Sequence, residues 1–187
     1  MKRLLLHVCC ASCLAGLFER LRGMDVKATG YFYNPNIHPL LEFRRRMKAI
    51  KVLQESENFP IVYDERYGLK EFLKKVDFEK QDRCCGCYTL RLTRTAEYAR
   101  DNGYDSFTST LLISHQQDNE ILRSVGEKIE AESGLQFYYE DFRQLQPKGL
   151  EIAKRRSLYR QQYCGCIFSE CERFINTSKF LYEGKSR

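Results

Sequence analysis

Cysteine dominates the chemistry available to this chain of 187 residues, which carries nine of them. They fall in three groups: Cys9, Cys10 and Cys13; Cys84, Cys85 and Cys87; Cys164, Cys166 and Cys171. Cys10-x-x-Cys13 and Cys84-x-x-Cys87 leave two residues between thiols, so both sulfurs of a pair reach one metal across a turn. Cys164-Gly165-Cys166 is tighter and needs glycine for the bend. The alternative for an isolated pair is inert, buried cysteine, a reading about half as favoured as metal binding. Three groups together weaken that reading.

The chain opens Met-Lys-Arg-Leu-Leu-Leu and then meets cysteines, which reads as a first strand rather than a signal peptide. No run approaches the roughly 20 apolar residues of a membrane span. A cytoplasmic location is expected, where reducing conditions disfavour disulfides and clustered thiols serve metals or redox chemistry. Seven or more thiols exceed one tetrahedral zinc site. A four-thiolate iron–sulfur cluster with a second metal fits the count, and so do two zinc ions. Successive side chains of an extended segment alternate, so adjacent Cys9 and Cys10 are expected at a junction between two centres.

Other candidate groups are fewer. Asp141 follows the last expected strand, where a carboxylate completes a hard metal site or carries a proton. The alternative is a helix cap or an ion pair with Arg143. His7, His38 and His115 read as structural or solvent-facing side chains. Most of the 12 tyrosines and 12 phenylalanines belong to the core, with a few placed to stack on a nucleobase.

The elements that position these groups follow from apolar periodicity. Strands are expected at 3–8, 26–33, 61–63, 107–113 and 137–139. Helices are expected at 13–22, from Leu40 through Leu53, at 69–75, at 88–101 with Gly103 as cap, and from Ile121 to Ile129 with Gly134 as cap. Residues 76–86 read as a loop leading to Cys84, and the tail as helical, broken at 163–166. Strand and helix alternate at least four times, which predicts a single doubly wound, mostly parallel α/β sheet in one domain over 1–187. Ligands of such sheets bind at the carboxyl ends of strands. Cys9, Cys10, Cys13, Ser109, Thr110, Ser114 and Asp141 all fall there. The helix after Cys87 runs antiparallel to its strand, so its amino end returns to that edge and the cysteine groups converge.

Net charge is +6 and the isoelectric point about 8.8, with mean hydropathy −0.53. Arg44, Arg45, Arg46 and Lys48 form one basic cluster; Lys154, Arg155, Arg156 and Arg160 form another. Such clusters suit a polyanion, though charge alone also describes a solvated surface.

The motifs HVCCASC at 7–13, YNPNIHPLLEFRRR at 33–46, RCCGCYTLRLTRTAEYA at 83–99, FTSTLLIS at 107–114, DFR at 141–143 and LYRQQYCGCIFS at 158–169 together resemble the QueH family of epoxyqueuosine reductases. The resemblance implies conversion of epoxyqueuosine to queuosine at the wobble position of tRNA, by a route independent of cobalamin. It implies a fold similar to the adenine nucleotide α-hydrolase-like (PP-loop) group, with CCASC in place of the phosphate loop SGGxDS. By position the family thiols are Cys9, Cys10, Cys13, Cys84, Cys87, Cys164 and Cys166. Cys85 and Cys171 lie outside the pattern, and Ser12 and His115 stand where the family often has proline.

Removing an epoxide oxygen takes two electrons and two protons and expels water, which side chains alone do not supply. The resemblance therefore implies a [4Fe-4S] cluster on four of the seven thiols, an external electron donor, and a second mononuclear iron on the remaining cysteines with Asp141. Which thiol serves which metal stays open, and so does whether Cys13 is a ligand or, like Asp141, a catalytic group. The basic clusters would hold tRNA phosphates. Two rivals remain at this stage: an ATP-dependent tRNA-modifying PP-loop enzyme, and a zinc-stabilised RNA-binding module without catalysis.

Overall fold

The computed structural model describes residues 1–79 and 82–182. Its centre is β1 (Lys2–His7), whose Leu4, Leu5 and Leu6 are fully buried. A strand covered on both faces reads as a continuous apolar run rather than an alternating one. β2 (Val26–Phe32) lies on one side of β1 and β4 (Ser106–Ser109) on the other. β3 (Ile61–Tyr63) and β5 (Gln136–Phe137) form the edges, giving the order β3-β2-β1-β4-β5, all parallel. The chain winds outward from β1 to β3, then crosses to β4. That reversal opens a crevice between β1 and β4 at their carboxyl ends.

The helices are α1 (Ala11–Arg22), α2 (Leu40–Glu57), α3 (Leu69–Lys75), α4 (Arg83–Asp101), α5 (Asn119–Ser133), α6 (Gln146–Arg155) and α7 (Ile167–Tyr182). The expected α/β architecture is therefore present, as one parallel sheet flanked by helices. On α4 the predicted face of Tyr88, Leu92, Ala96 and Ala99 is buried. Among the described residues no helix is long and apolar enough to cross a membrane.

Several boundaries differ from the sequence reading, and two of them have a clear local cause. α4 begins at Arg83, not Tyr88, because the Asp82 side chain accepts from Cys85 N and caps the helix there. Cys84, Cys85 and Cys87 thus stand in its first turns rather than on a loop. The strand expected through Ile113 stops at Ser109, whose side chain accepts from Leu111 N and starts a 3-10 turn over Thr110–Ile113. A short buried apolar run does not distinguish strand from helix by periodicity. β5 is two residues long, although Tyr138 N still donates to Phe107 O at 2.9 Å.

Candidate metal centre

β1 ends at His7, and the next residues turn into α1 with Cys10 as its N-cap. Cys13 follows in the first turn. The Sγ atoms of Cys9, Cys10 and Cys13 all lie within 4.8 Å of one another, and all three residues are buried. Among the described residues this is the one group of three or more side chains gathered tightly enough to ligate a single ion. The junction expected between Cys9 and Cys10 is narrower than alternation predicts: their sulfurs are 3.7 Å apart. The chain leaves the extended state at the cap, so strand alternation does not carry through.

The surroundings favour thiolate. The amino end of α1 presents positive dipole to the trio. Burial opposes ionisation of Cys10, but hydrogen bonds from Cys13, Cys9 and Ser12, with the Arg46 charge, hold its thiol well below its ordinary value. Hydrogen bonding toward Cys10 raises both Cys9 and Cys13. The same contacts thus favour the Cys10 thiolate and oppose ionisation of its two neighbours. Thr110 Oγ1 accepts from Cys9 N at 3.0 Å and donates to Cys9 Sγ at 3.2 Å. Gln161 Nε2 donates to Cys10 Sγ at 2.9 Å.

A second set of thiols gathers beside the first. Cys87 and Cys166 are buried in a small apolar cluster with Phe72, Val76 and Leu90, and Cys164 packs against it. A hydrogen bond from Cys166 brings Cys164 down to about 6 against the effect of burial, with Ser169 and Arg46 acting in the same sense. Burial pushes Cys87 up to about 11. Cys84 feels the charge of Cys164. The loop that carries Cys164 is pinned by Arg46, which donates to the carbonyls of Tyr163 and Cys164 at 2.9 Å each, and by His38 N, which donates to Gly165 O at 2.7 Å. Gly165 has φ +119°, and a Cβ there would stand 3.0 Å from Ile37 and 3.1 Å from Arg46. Only glycine takes that backbone easily against so close a guanidinium.

Both sets open on one cavity of about 510 Å³, lined by Cys9, Cys13, Cys84 and Cys164 with Gln161 and Arg46. The predicted convergence of all three cysteine groups at the carboxyl edge is what this cavity displays. Cys85 is partly buried and Cys171 exposed, and neither lines it.

Asp141 is held in a local ion pair. Both its carboxylate oxygens accept from Arg143, at 2.5–3.0 Å, and Asn119 Nδ2 donates to it at 3.2 Å. The Arg143 hydrogen bonds hold its pKa well below the ordinary carboxylate value. Asp141 is not among the cavity's lining residues, and the ion pair weighed as its alternative role is the contact it makes. His7 is fully buried; burial and then the Arg91 charge bring it down to about 3, so it is neutral. Its Nε2 meets the Tyr33 carbonyl at 3.0 Å and its Nδ1 the Ser109 hydroxyl at 2.9 Å. His38 packs against Phe72 and Tyr67, and His115 is exposed.

Sequence reasoning missed Gln161, Arg46 and Arg91. Arg46 was assigned to a basic surface cluster, yet it is 2% exposed and paired with Glu42 at 2.6 Å. A signal existed: Arg46 lies three residues after Phe43 and four before Ile50, on the apolar stripe of α2. Arg156 of the second cluster is likewise engaged, with Glu57 at 2.5 Å. The remaining basic residues, Arg44, Arg45, Lys48, Lys154, Arg155 and Arg160, are exposed. The two clusters adjoin, since the Arg45 guanidinium lies 5.9 Å from the Tyr159 ring centroid.

Comparison with known proteins gives a consistent result. The family model described as epoxyqueuosine reductase QueH matches residues 4–172. An epoxyqueuosine reductase QueH of Dehalococcoides mccartyi is 39% identical over 92% of this chain and 94% of its own. One from Thermotoga maritima is 34% identical over 92% and 93%, and one from Haemophilus influenzae 35% identical over 89% and 71%. A solved structure described as a predicted subunit of tRNA methyltransferase from Methanocaldococcus jannaschii aligns with TM-score 0.46 and 10% identity over 87% of this chain and 94% of that one. That likeness is too remote to bear on function.

Proposed function

Because the chain belongs to the QueH family of epoxyqueuosine reductases, we propose that it reduces epoxyqueuosine to queuosine at the wobble position of tRNA through two thiolate-bound metal centres that meet at one cavity. The observation that carries this reading is the shared cavity itself, which Cys9 and Cys13 line from one side and Cys84 and Cys164 from the other. The donor sets fit two different groups. Thiolates bound to one tetrahedral ion at about 2.3 Å stand roughly 3.8 Å apart. The trio at Cys9, Cys10 and Cys13 is compact enough for one ion, with all sulfurs within 4.8 Å and Cys9 and Cys10 at 3.7 Å. Cys84, Cys87, Cys164 and Cys166 interact without gathering so tightly, which suits the wider span of a four-iron cluster held by four thiolates.

We therefore assign Cys84, Cys87, Cys164 and Cys166 to a [4Fe-4S] cluster, and Cys9, Cys10 and Cys13 to a mononuclear iron. When bound there, the cluster would supply single electrons from an external donor, and the iron would supply Lewis acidity toward the epoxide oxygen. The chain's own residues prepare the rest. Gln161 and Thr110 hold the trio by hydrogen bonds to sulfur, as outer partners orient metal ligands. Arg46 fixes the carbonyls beside Cys164. Gln146 and Gln161 offer amide donors and acceptors to an uncharged polar substrate in the cavity. Asp141 is left outside the assignment while Arg143 occupies both its oxygens.

The exposed arginines and lysines of the adjoining clusters bind tRNA phosphates, and binding weakens with salt. A cytoplasmic site of action follows from the substrate and keeps the thiols reduced.

The test is to incubate the anaerobically reconstituted full chain and a reductant with epoxyqueuosine-containing tRNA. Queuosine appears if the reading is right. No queuosine from protein that retains its cluster overturns the substrate. A colourless protein holding zinc and no acid-labile sulfide, even when prepared anaerobically, overturns the cofactor.

A further inference from the structure

Arg91 is 2% exposed. It lies on α4, four residues after Cys87, and residues so spaced are neighbours on a helix face. Its terminal NH2 donates to Asn34 Oδ1 at 2.9 Å, and its Nε stands 3.4 Å from His7 Nε2. Asn34 in turn donates to the carbonyl of Val8, directly before Cys9. Arg91 therefore lies between the helix that carries Cys87 and the turn that carries Cys9.

Neither of these contacts is to a carboxylate: Asn34 is an amide and His7 an imidazole. Among the described residues no carboxylate pairs with Arg91. Arg46 provides the contrast: it is equally buried, and Glu42 balances it at 2.6 Å. A guanidinium does not shed its proton in a protein, and a buried charge without a partner is strongly unfavourable. The anionic groups within its reach are thiolates. Cys87 lies one turn before Arg91 on α4, and the Arg91 charge favours its thiolate against the effect of burial. It acts on Cys9 through space in the same sense.

We propose that Arg91 is a positioning residue whose buried charge is the counter-cation of the thiolate centre, shared between the Cys9 turn and the Cys87 helix. The proposal rests on the reading that these thiols bind metal. Each thiolate added to a divalent ion beyond the second leaves net negative charge in a medium of low dielectric, and a fixed cation beside it offsets that charge.

The experiment uses the reduced, metal-free full chain titrated with Co(II), followed by thiolate-to-cobalt charge-transfer absorption, with circular dichroism of each metal-free form as control. R91M keeps most of the side-chain volume and removes the charge; it weakens Co(II) binding by about tenfold or more, the range found when outer partners of metal ligands are lost. R91K keeps the charge with altered hydrogen bonding and binds close to wild type. R91M binding Co(II) as wild type does overturns the proposal. So does R91K losing as much as R91M, which assigns the role to guanidinium shape. An R91M chain that does not fold without metal makes Arg91 structural and overturns it as well. Wild type giving no charge-transfer band refutes the thiol centre itself, a result distinct from the other three.

Discussion

Gln161 donates its amide proton to the sulfur of Cys10 at 2.9 Å, although 151 residues separate them. The contact ties the segment after α6 to the turn after β1. Its carbonyl oxygen also lies 3.5 Å from the Ser12 hydroxyl. A hydrogen bond to sulfur favours the anionic, metal-binding form. Gln161→Leu keeps the bulk and removes the donor, and metal held by the trio falls in affinity by about tenfold. Equilibrium dialysis of iron against a chelator measures it. Unchanged affinity means the bond has no part in metal binding.

The division of the thiols predicts two classes of variant. Cys87→Ser or Cys164→Ser removes acid-labile sulfide together with iron. Cys9→Ser or Cys10→Ser lowers iron by about one ion per chain while sulfide remains. Cys171→Ser, at an exposed position, leaves both as in wild type. Iron and sulfide assays on anaerobically purified protein separate these outcomes. A Cys171 variant that loses iron as fully as the others means the nine thiols are divided wrongly.

Gly149 of α6 lies against the first turns of α1. A Cβ added there would stand 2.2 Å from the Ser12 carbonyl oxygen and 3.1 Å from Gly16 Cα. Both are backbone atoms, so one helix must move. Gly149→Ala is expected to cost about 1–3 kcal/mol of stability, read as a shift in the urea midpoint with unchanged slope. The displaced helix is the one that carries Cys13, so metal content falls in parallel.

Glu140 gives a pH signature away from the metal site. Arg20 contacts it at 2.7–3.0 Å and Tyr138 donates to it at 2.6 Å. The Arg20 hydrogen bonds hold its pKa below the ordinary 4.5. As pH falls, the unfolded chain takes up this proton before the folded one does. The stabilisation is therefore complete above the ordinary glutamate value and is lost as pH falls through the lowered native value. The Arg20 side chain is 38% exposed, so screening limits the contribution to roughly 0.5–1 kcal/mol. Glu140→Gln lowers the melting temperature of the metal-free protein at neutral pH, and the gap closes in acid. A gap that is constant with pH means the pair acts through packing instead.

Much of this protein is decided by its sequence. The apolar run at Leu4–Leu6, the β-branched and helical stripes, and glycine at 103 and 134 specify the alternating elements, because strand and helix periods are local properties. CxxC spacing is local too: it places two sulfurs within reach of one metal before any long-range contact forms. The motif order from HVCCASC to LYRQQYCGC carries the family. Even the return of the cysteine groups to one sheet edge follows from the antiparallel run of crossover helices.

Tertiary structure decided what local spacing does not encode. Cys9 and Cys10 alternate as strand residues, but α1 starts at Ala11 and turns their sulfurs to one point. Asp82 carries the cysteines of 84–87 into a helix. Of the two roles open to Asp141 after its strand, the fold displays the ion pair with Arg143 two residues on. Arg46 reads as part of a basic surface cluster and Arg91 attracts no reading at all, yet the fold buries both. An arginine's burial depends on which elements close over it, and sheet order, set by crossovers between segments far apart in the chain, determines that.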